Sequence, residues 1–263
     1  MDKNVKILTA NIAHGLRFGE FAIVDEKSLI SVAQELDADV VCLQEVDYKK
    51  VRSSGLDQME VLRVHGNFSY ARFFPALIGE PGDRSSFRMP TFGEIENPPP
   101  DSYGLGILSR YPITDVKTLQ LSGSRLSLPM PFVIDGRTRW RAIPDEPRIA
   151  VRVTIDSPIG SIDVVTTHLS FIPTRAMSQL LLLKQLLQAR PTILAGDLNL
   201  SPSISKRITK FEHAVLAATY PKPQPRAQLD HILISEHFIC NQSGVTELSI
   251  SDHFAAFAVV AKK

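Results

Sequence analysis

Carboxylates, amides and imidazoles recur in this chain at one kind of place, the end of a short apolar run. Asn11 follows Val5–Ala10, Glu45 follows Val40–Leu43, His168 follows Val164–Thr167, and Asp197 and Asn199 follow Ile193-Leu194-Ala195-Gly196. Asp230 precedes His231–Ile234, and Asp252 and His253 precede Ala255–Val260. The carboxylates of Glu45, Asp197 and Asp252 and the amide oxygens of Asn11 and Asn199 are hard donors, suited to Mg²⁺ or Mn²⁺. No thiolate stands among them and histidines are the minority, which disfavours zinc. An ion held by one or two carboxylates keeps coordination sites for water and phosphate, and so suits phosphoryl chemistry. His253 has the chemistry of a general base that takes a proton from attacking water. Asp230 or Asp252 could hold its other ring nitrogen.

Taken singly, each residue also has a purely structural reading. An asparagine after a strand is a common turn residue. Glu45 could simply end a strand in solvent, and Asp197-Leu198-Asn199 could be an Asx-type turn ahead of a helix. His168 could be structural. The functional reading rests on their joint occurrence at strand ends, which in a layered α/β protein converge on one rim.

The elements that must position them are short β-branched runs bounded by polar residues, Gly or Pro. Strands are predicted at Val5–Ala10, Val40–Leu43, Gly106–Leu108, Ile149–Ile155, Ile162–Thr166, Ile193–Leu194, His231–Ile234 and Ala255–Val260. Lys27–Leu36 and Thr174–Ala189 carry apolar residues at helical spacing. Strands alternating with helices early, then consecutive strands, imply an α/β or α+β domain. Gly79–Asp101 and Ser122–Pro147, broken by Gly and Pro, are predicted to be long loops bordering the rim, where loops on a rigid scaffold select substrates. The second holds Leu126, Leu128, Met130, Pro131, Phe132 and Trp140 beside Arg137, Arg139 and Arg141, with Arg148 just beyond it.

The 263 residues carry a formal net charge of +1 and 44% hydrophobic residues, the balance of an ordinary globular protein. Near-neutrality argues against a general nucleic-acid binder, which usually shows a basic excess. Two cysteines, Cys42 and Cys240, are too few for a disulfide framework or a thiolate metal site, and Cys42 lies in an apolar run typical of a core thiol. No signal-like or membrane-crossing apolar stretch is present. The expectation is one domain over residues 1–263, soluble and cytoplasmic.

The order of the motifs is itself informative. T-A-N-I at Thr9–Ile12, L-Q-E-V at Leu43–Val46, G-L-G-I-L-S-R at Gly104–Arg110 and T-H-L at Thr167–Leu169 come in sequence. G-D-L-N at Gly196–Asn199, L-D-H-I-L at Leu229–Leu233 and S-D-H-F at Ser251–Phe254 follow. Together, from Lys6 to Val260, they resemble the endonuclease/exonuclease/phosphatase superfamily with its deoxyribonuclease I-like fold. The resemblance implies a four-layered sandwich, two mixed β-sheets packed face to face and flanked by helices. It implies Glu45 as principal metal ligand with Asn11 beside it and Asp252 as a further metal-site carboxylate. It implies His253 as base and Asp230 as its orienting carboxylate. Asp197 and Asn199 are similar to the pair that positions water and phosphate, and His168 to the residue that hydrogen-bonds a non-bridging phosphate oxygen. Leu105 departs from the pattern, since many relatives carry a polar residue there, often Asn.

L-Q-E-V-D and T-H-L resemble the phosphodiesterase and lipid-phosphatase-like branches. AP endonucleases typically have L-Q-E-T, and a tyrosine where His168 stands. The expectation is a Mg²⁺-dependent hydrolase, with Mn²⁺ as substitute, that cleaves a small or lipid-linked phosphodiester. Arg148, together with Tyr103 at the head of the Gly104–Arg110 block, is taken as a substrate contact. A nuclease of the same superfamily and a non-catalytic binding module are the competing readings. Intact Glu45, Asp197, Asn199, Asp230 and His253 argue against the second.

Overall fold

The computed structural model describes residues 3–17, 23–124, 126–134, 137–187 and 190–263, with backbone alone over 130–134 and 137–138. The strands are β1 (Val5–Asn11), β2 (Val40–Tyr48), β3 (Tyr70–Ile78), β4 (Ser102–Ser109), β5 (Ile113–Leu121), β6 (Ser127–Ile134), β7 (Arg137–Pro144), β8 (Arg148–Ser157), β9 (Gly160–His168), β10 (Thr192–Asp197), β11 (Glu212–His213), β12 (Asp230–Ile234), β13 (Phe238–Thr246) and β14 (Ala255–Lys262). The α-helices are α1 (Glu26–Glu35), α2 (Gln58–His65), α3 (Phe92–Glu96), α4 (Pro173–Leu183) and α5 (Pro202–Thr209).

Two six-stranded mixed sheets form, in the orders β13-β14-β1-β2-β4-β3 and β11-β12-β10-β9-β8-β5. Their central strands are apolar on both faces, as strands covered on both sides must be. Along β1, Val5 and Ile7 enter the core between the sheets while Leu8 and Ala10 enter a second core under α1 and α2. On β10, Ile193 and Ala195 face the central core, and Leu194 packs in a third core with Ala176, Leu180 and Leu183 of α4. Three apolar layers therefore hold four layers of structure, the predicted sandwich. Cys42 is fully buried in the central core and Cys240 is exposed.

Every strand expected from the sequence is present, each of them longer. Those not anticipated are β3, β5, β11 and β13, together with a hairpin. β5 is an edge strand whose outward residues are polar and β13 is largely exposed, so neither has the apolar run of a central strand. β3, also an edge strand, has one at Phe73–Ile78, but Pro75 interrupts it. The long loop expected at Ser122–Pro147 is corrected to the β6–β7 hairpin, a separate two-stranded sheet. Its prolines Pro129 and Pro131 suit a ladder with no further neighbour. The helix expected over Thr174–Ala189 ends at Leu183 and tightens into a 3₁₀ turn at Lys184–Leu186, while Ala189 lies outside the described residues. α2, α3 and α5 were also not anticipated, being only 5 to 8 residues long. No helix among the described residues is long and apolar enough to cross a membrane.

Candidate active site at the convergent strand ends

Strand direction brings the polar residues together. β1 runs parallel to β2, and β9 parallel to β10, so Asn11, Glu45, His168 and Asp197 all lie at or near C-terminal strand ends. β12 and β14 run antiparallel to these, so their beginnings meet the same rim: Asp197 is in register with Asp230, and Thr9 with Ala256.

Local backbone then aims each side chain. Leu43 pairs with Gly106 and Val46 with Gly104, so β2 carries one residue more than β4, a bulge. Glu45 occupies that bulge with φ of 58°, a left-handed conformation costly for a residue with a Cβ. Leu105 lies opposite the bulge in the central core, 2% exposed, so the departure from the family pattern fills apolar space. Asn199, with φ of 49°, gives its N–H to Asp197 Oδ1 at 3.0 Å. This is the anticipated Asx turn before a helix, here α5. Asn199 Nδ2 also donates to the Leu169 carbonyl at 3.0 Å.

Asn11 sits between the two carboxylates. Its Nδ2 donates to Glu45 Oε1 at 2.9 Å and to Asp197 Oδ2 at 3.2 Å, while Oδ1 accepts the Ala13 N–H at 3.1 Å. Only an oxygen can accept that N–H, so the amide nitrogen is the atom facing the carboxylates. The expectation of an Asn11 oxygen ligand thus meets a geometry in which Asn11 bridges two anions.

Asp230 and His253 form a buried pair, Nδ1 to Oδ2 at 2.8 Å. Two N–H groups, of Leu229 and Asp230, donate to Thr219 Oγ1 at 3.2 Å and fix the strand start. The Tyr220 ring packs on the imidazole, centroids 4.7 Å apart. Lys222 holds the loop before His253 through Nζ bonds to the Leu248 and Ile250 carbonyls at 2.5 and 2.8 Å. Sequence reasoning missed Thr219, Tyr220 and Lys222. They lie in a stretch with no regular period, and their only signal is that it directly precedes Asp230.

On the opposite side, His168 Nε2 lies 3.5 Å from Asp197 Oδ2 and its Nδ1 lies 3.2 Å from Arg148 Nη1. Tyr103 is buried under the Arg52 guanidinium, 5.6 Å from its ring centroid. Asp252 is half-buried, and its carboxylate acts on Glu45 and His253 through its charge.

Burial sets the electrostatics. It pushes Glu45 up, and with help from the Asp230 charge it pushes Asp197 up to about 7. Burial alone would lower His253, but the charges of Asp230, Asp197 and Asp252 outweigh it and raise the imidazole to about 10. His168 is driven well down, first by burial and then by the Arg148 charge, and is neutral. Burial, with the Glu45 charge, keeps Tyr103 a phenol.

Such crowded carboxylates fit a divalent cation. Asp197, Asp230 and His253 each offer a ligand atom within 4.8 Å of the others, but the His253–Asp230 hydrogen bond already engages that set. The Glu45 and Asp252 carboxylates, which act on each other through their charges, are the further oxygen donors. Asp230 Oδ1 is buried with no hydrogen-bond partner among the described residues. The donors are mainly oxygen, as hard cations require.

The fold is shared with solved structures. An endonuclease/exonuclease/phosphatase from Beutenbergia cavernae is 20% identical, with a TM-score of 0.72 over 99% of this chain and 72% of its own. The human Nocturnin catalytic domain is 18% identical, with a TM-score of 0.63 over 100% and 96%. The mannosyl-6-phosphatase of Bacteroides thetaiotaomicron is 14% identical, with a TM-score of 0.60 over 98% and 99%. No curated protein sequence matches. The profile of the Endonuclease/Exonuclease/phosphatase family matches residues 8–253, and the chain belongs to that family. Its members are hydrolases of phosphate esters that generally use divalent metals.

Proposed function

We propose that the protein is a divalent-metal-dependent hydrolase of phosphodiesters, acting on a small or lipid-linked substrate rather than duplex DNA. The observation that carries this reading is the buried His253–Asp230 pair, 2.8 Å long, set beside Asp197. With Asp230 accepting from Nδ1–H, the lone pair of Nε2 is left to take a proton from water. That role needs a neutral imidazole, which the surrounding carboxylates oppose.

A Mg²⁺ or Mn²⁺ ion, when bound, would supply the offsetting positive charge and the polarisation of a phosphate oxygen. Glu45 and Asp252 would hold it, with Asn11 bridging the Glu45 and Asp197 carboxylates through Nδ2. Asp197 and Asn199 orient water and phosphate. His168 donates from Nε2 to a non-bridging oxygen as charge develops there, with Arg148 and Tyr103 on the same side. Water attacks phosphorus in line as the bond to the leaving oxygen breaks.

Two features favour a small or lipid-linked substrate. The net charge of +1 provides little attraction for duplex DNA. The β6–β7 hairpin, rooted beside Arg148, carries exposed Leu126 and Trp140 with exposed Arg139 and Arg141, groups that grip a phosphate bearing an organic substituent. Met130, Pro131, Phe132 and Arg137, also expected there, have side chains outside the described residues.

The test is turnover with Mg²⁺ against aryl and lipid phosphodiesters, nucleotides, and single- and double-stranded DNA, with His253→Ala as control. Cleavage of an organic phosphodiester that is lost in His253→Ala is expected. Preference for duplex DNA would replace this reading with the nuclease.

A further inference from the structure

Glu146 lies between β7 and β8 and is only 6% exposed. A buried carboxylate must find partners for its charge. The two oxygens of Glu146 find them on different segments. Oε1 accepts the N–H of Gly82, in the segment after β3, at 2.7 Å. Oε2 lies 3.5 Å from Arg148 Nη2. One side chain thus joins the Gly79–Asp101 segment to the guanidinium that touches His168.

The contact with His168 has a chemical consequence. Arg148 Nη1 lies 3.2 Å from His168 Nδ1, and a guanidinium can only donate. Nδ1 therefore carries the lone pair and Nε2 the proton. Nε2 is the nitrogen that faces Asp197 Oδ2 and the rim. Asp197 Oδ2 favours the same tautomer from the Nε2 side, and Arg148 is the described partner that engages Nδ1. Arg148 Nε has no partner among the described residues, so its head group is held by Glu146 and His168.

We propose that Glu146 is a positioning residue which, through Arg148, fixes His168 as a neutral Nε2–H donor aimed at the phosphate oxygen. The role of that donor rests on the function proposed above; the relay itself does not. It also makes the Gly79–Asp101 segment part of the site, because Gly82 and Arg148 share one carboxylate.

A simpler role, an acceptor for the Gly82 N–H alone, is separable. Glu146→Gln keeps an oxygen for Gly82 but removes the charge that holds Arg148. The experiment is side-chain ¹⁵N NMR of the metal-free protein at neutral pH. In the parent protein His168 should show a protonated Nε2 and an Nδ1 shifted as a hydrogen-bonded acceptor. In Glu146→Gln, Nδ1 should move to the value of an unbonded acceptor. kcat on a minimal aryl phosphodiester should fall about 10–100-fold with KM little changed, the usual effect of losing an outer-shell partner. An unchanged His168 Nδ1 signal in Glu146→Gln overturns the relay. A moved signal with unchanged kcat keeps the relay and removes His168 from the chemistry. If Glu146→Gln fails to fold, Arg148→Lys reads the same signal, since an ammonium cannot reach Glu146 and His168 with the planar geometry of a guanidinium. The same shift is expected there, and its absence is equally decisive.

Discussion

The rim and the β6–β7 hairpin are built on opposite principles. At the rim, Asn11, Asp197, Asp230, His253, His168 and Arg148 are all buried, and each is held by others of the set. In the hairpin, β6 pairs only with β7, and Leu126, Arg139, Arg141 and Trp140 lie open to solvent. Buried polar networks are costly when incomplete, so the rim tolerates little change. An exposed ladder can change its side chains with little effect on the fold. Under the proposed function, reaction chemistry belongs to the rim and substrate choice to the hairpin.

That contrast is broken most severely at His253, the proposed base. His253→Ala should keep its fold and lose about 10²–10⁴-fold in kcat, the usual loss for a positioned general base. Steady-state kinetics beside circular dichroism check both halves, and a variant with near-parental kcat would remove His253 from that role.

Backbone packing comes next. A Cβ on Gly196 would stand 2.2 Å from the Thr167 carbonyl oxygen, so β10 must move away from β9 and carry Asp197 with it. Gly196→Ala should cost about 1–3 kcal/mol, as overpacking does, and depress kcat as well. Denaturant unfolding that shows parental stability would contradict the tight β9–β10 approach.

Acid sensitivity should follow burial near the rim. His14 is lowered from 6.5 to about 4 by burial and then by the Arg52 charge. Between those pH values the unfolded chain binds a proton that the folded protein refuses, so stability falls as pH drops from 6.5 to 4. This group should contribute about 2 kcal/mol to that loss once remaining solvent screening is allowed for. His14→Gln should flatten the stability–pH slope in this window, and an unchanged slope would contradict the shift.

The smallest stability effect should come from the hairpin. Trp140→Ala and Arg139→Glu should leave stability within about 0.5 kcal/mol. They should raise KM for the organic substrate while a minimal aryl phosphodiester is far less affected. Equal small effects on both substrates would leave the hairpin without a part in recognition.

The two regions also differ in how far they were legible in the sequence. Rim residues were readable because chemistry restricts residue type and each sits at the end of an apolar strand, as Glu45 does after Val40–Leu43. Their aim was not readable: the bulge at Glu45 and the amide orientation of Asn11 depend on which strand lies opposite and which N–H lies near. Glu146 and Tyr220 escaped notice because partners such as Gly82 and His253 are distant in sequence. In the sequence the hairpin reads as a loop because Pro129 and Pro131 break a strand pattern, and only its lack of further strand neighbours makes them acceptable.

The central claim is that the half-buried carboxylates of Glu45 and Asp252 at the rim hold a divalent cation needed for phosphodiester cleavage. Its most direct test is turnover of an aryl phosphodiester before and after chelation, with metal binding measured by calorimetry in the parent protein and in Glu45→Ala. Chelation should abolish turnover, Mg²⁺ or Mn²⁺ should restore it, and Glu45→Ala should bind the metal poorly. Full turnover in excess chelator would contradict it.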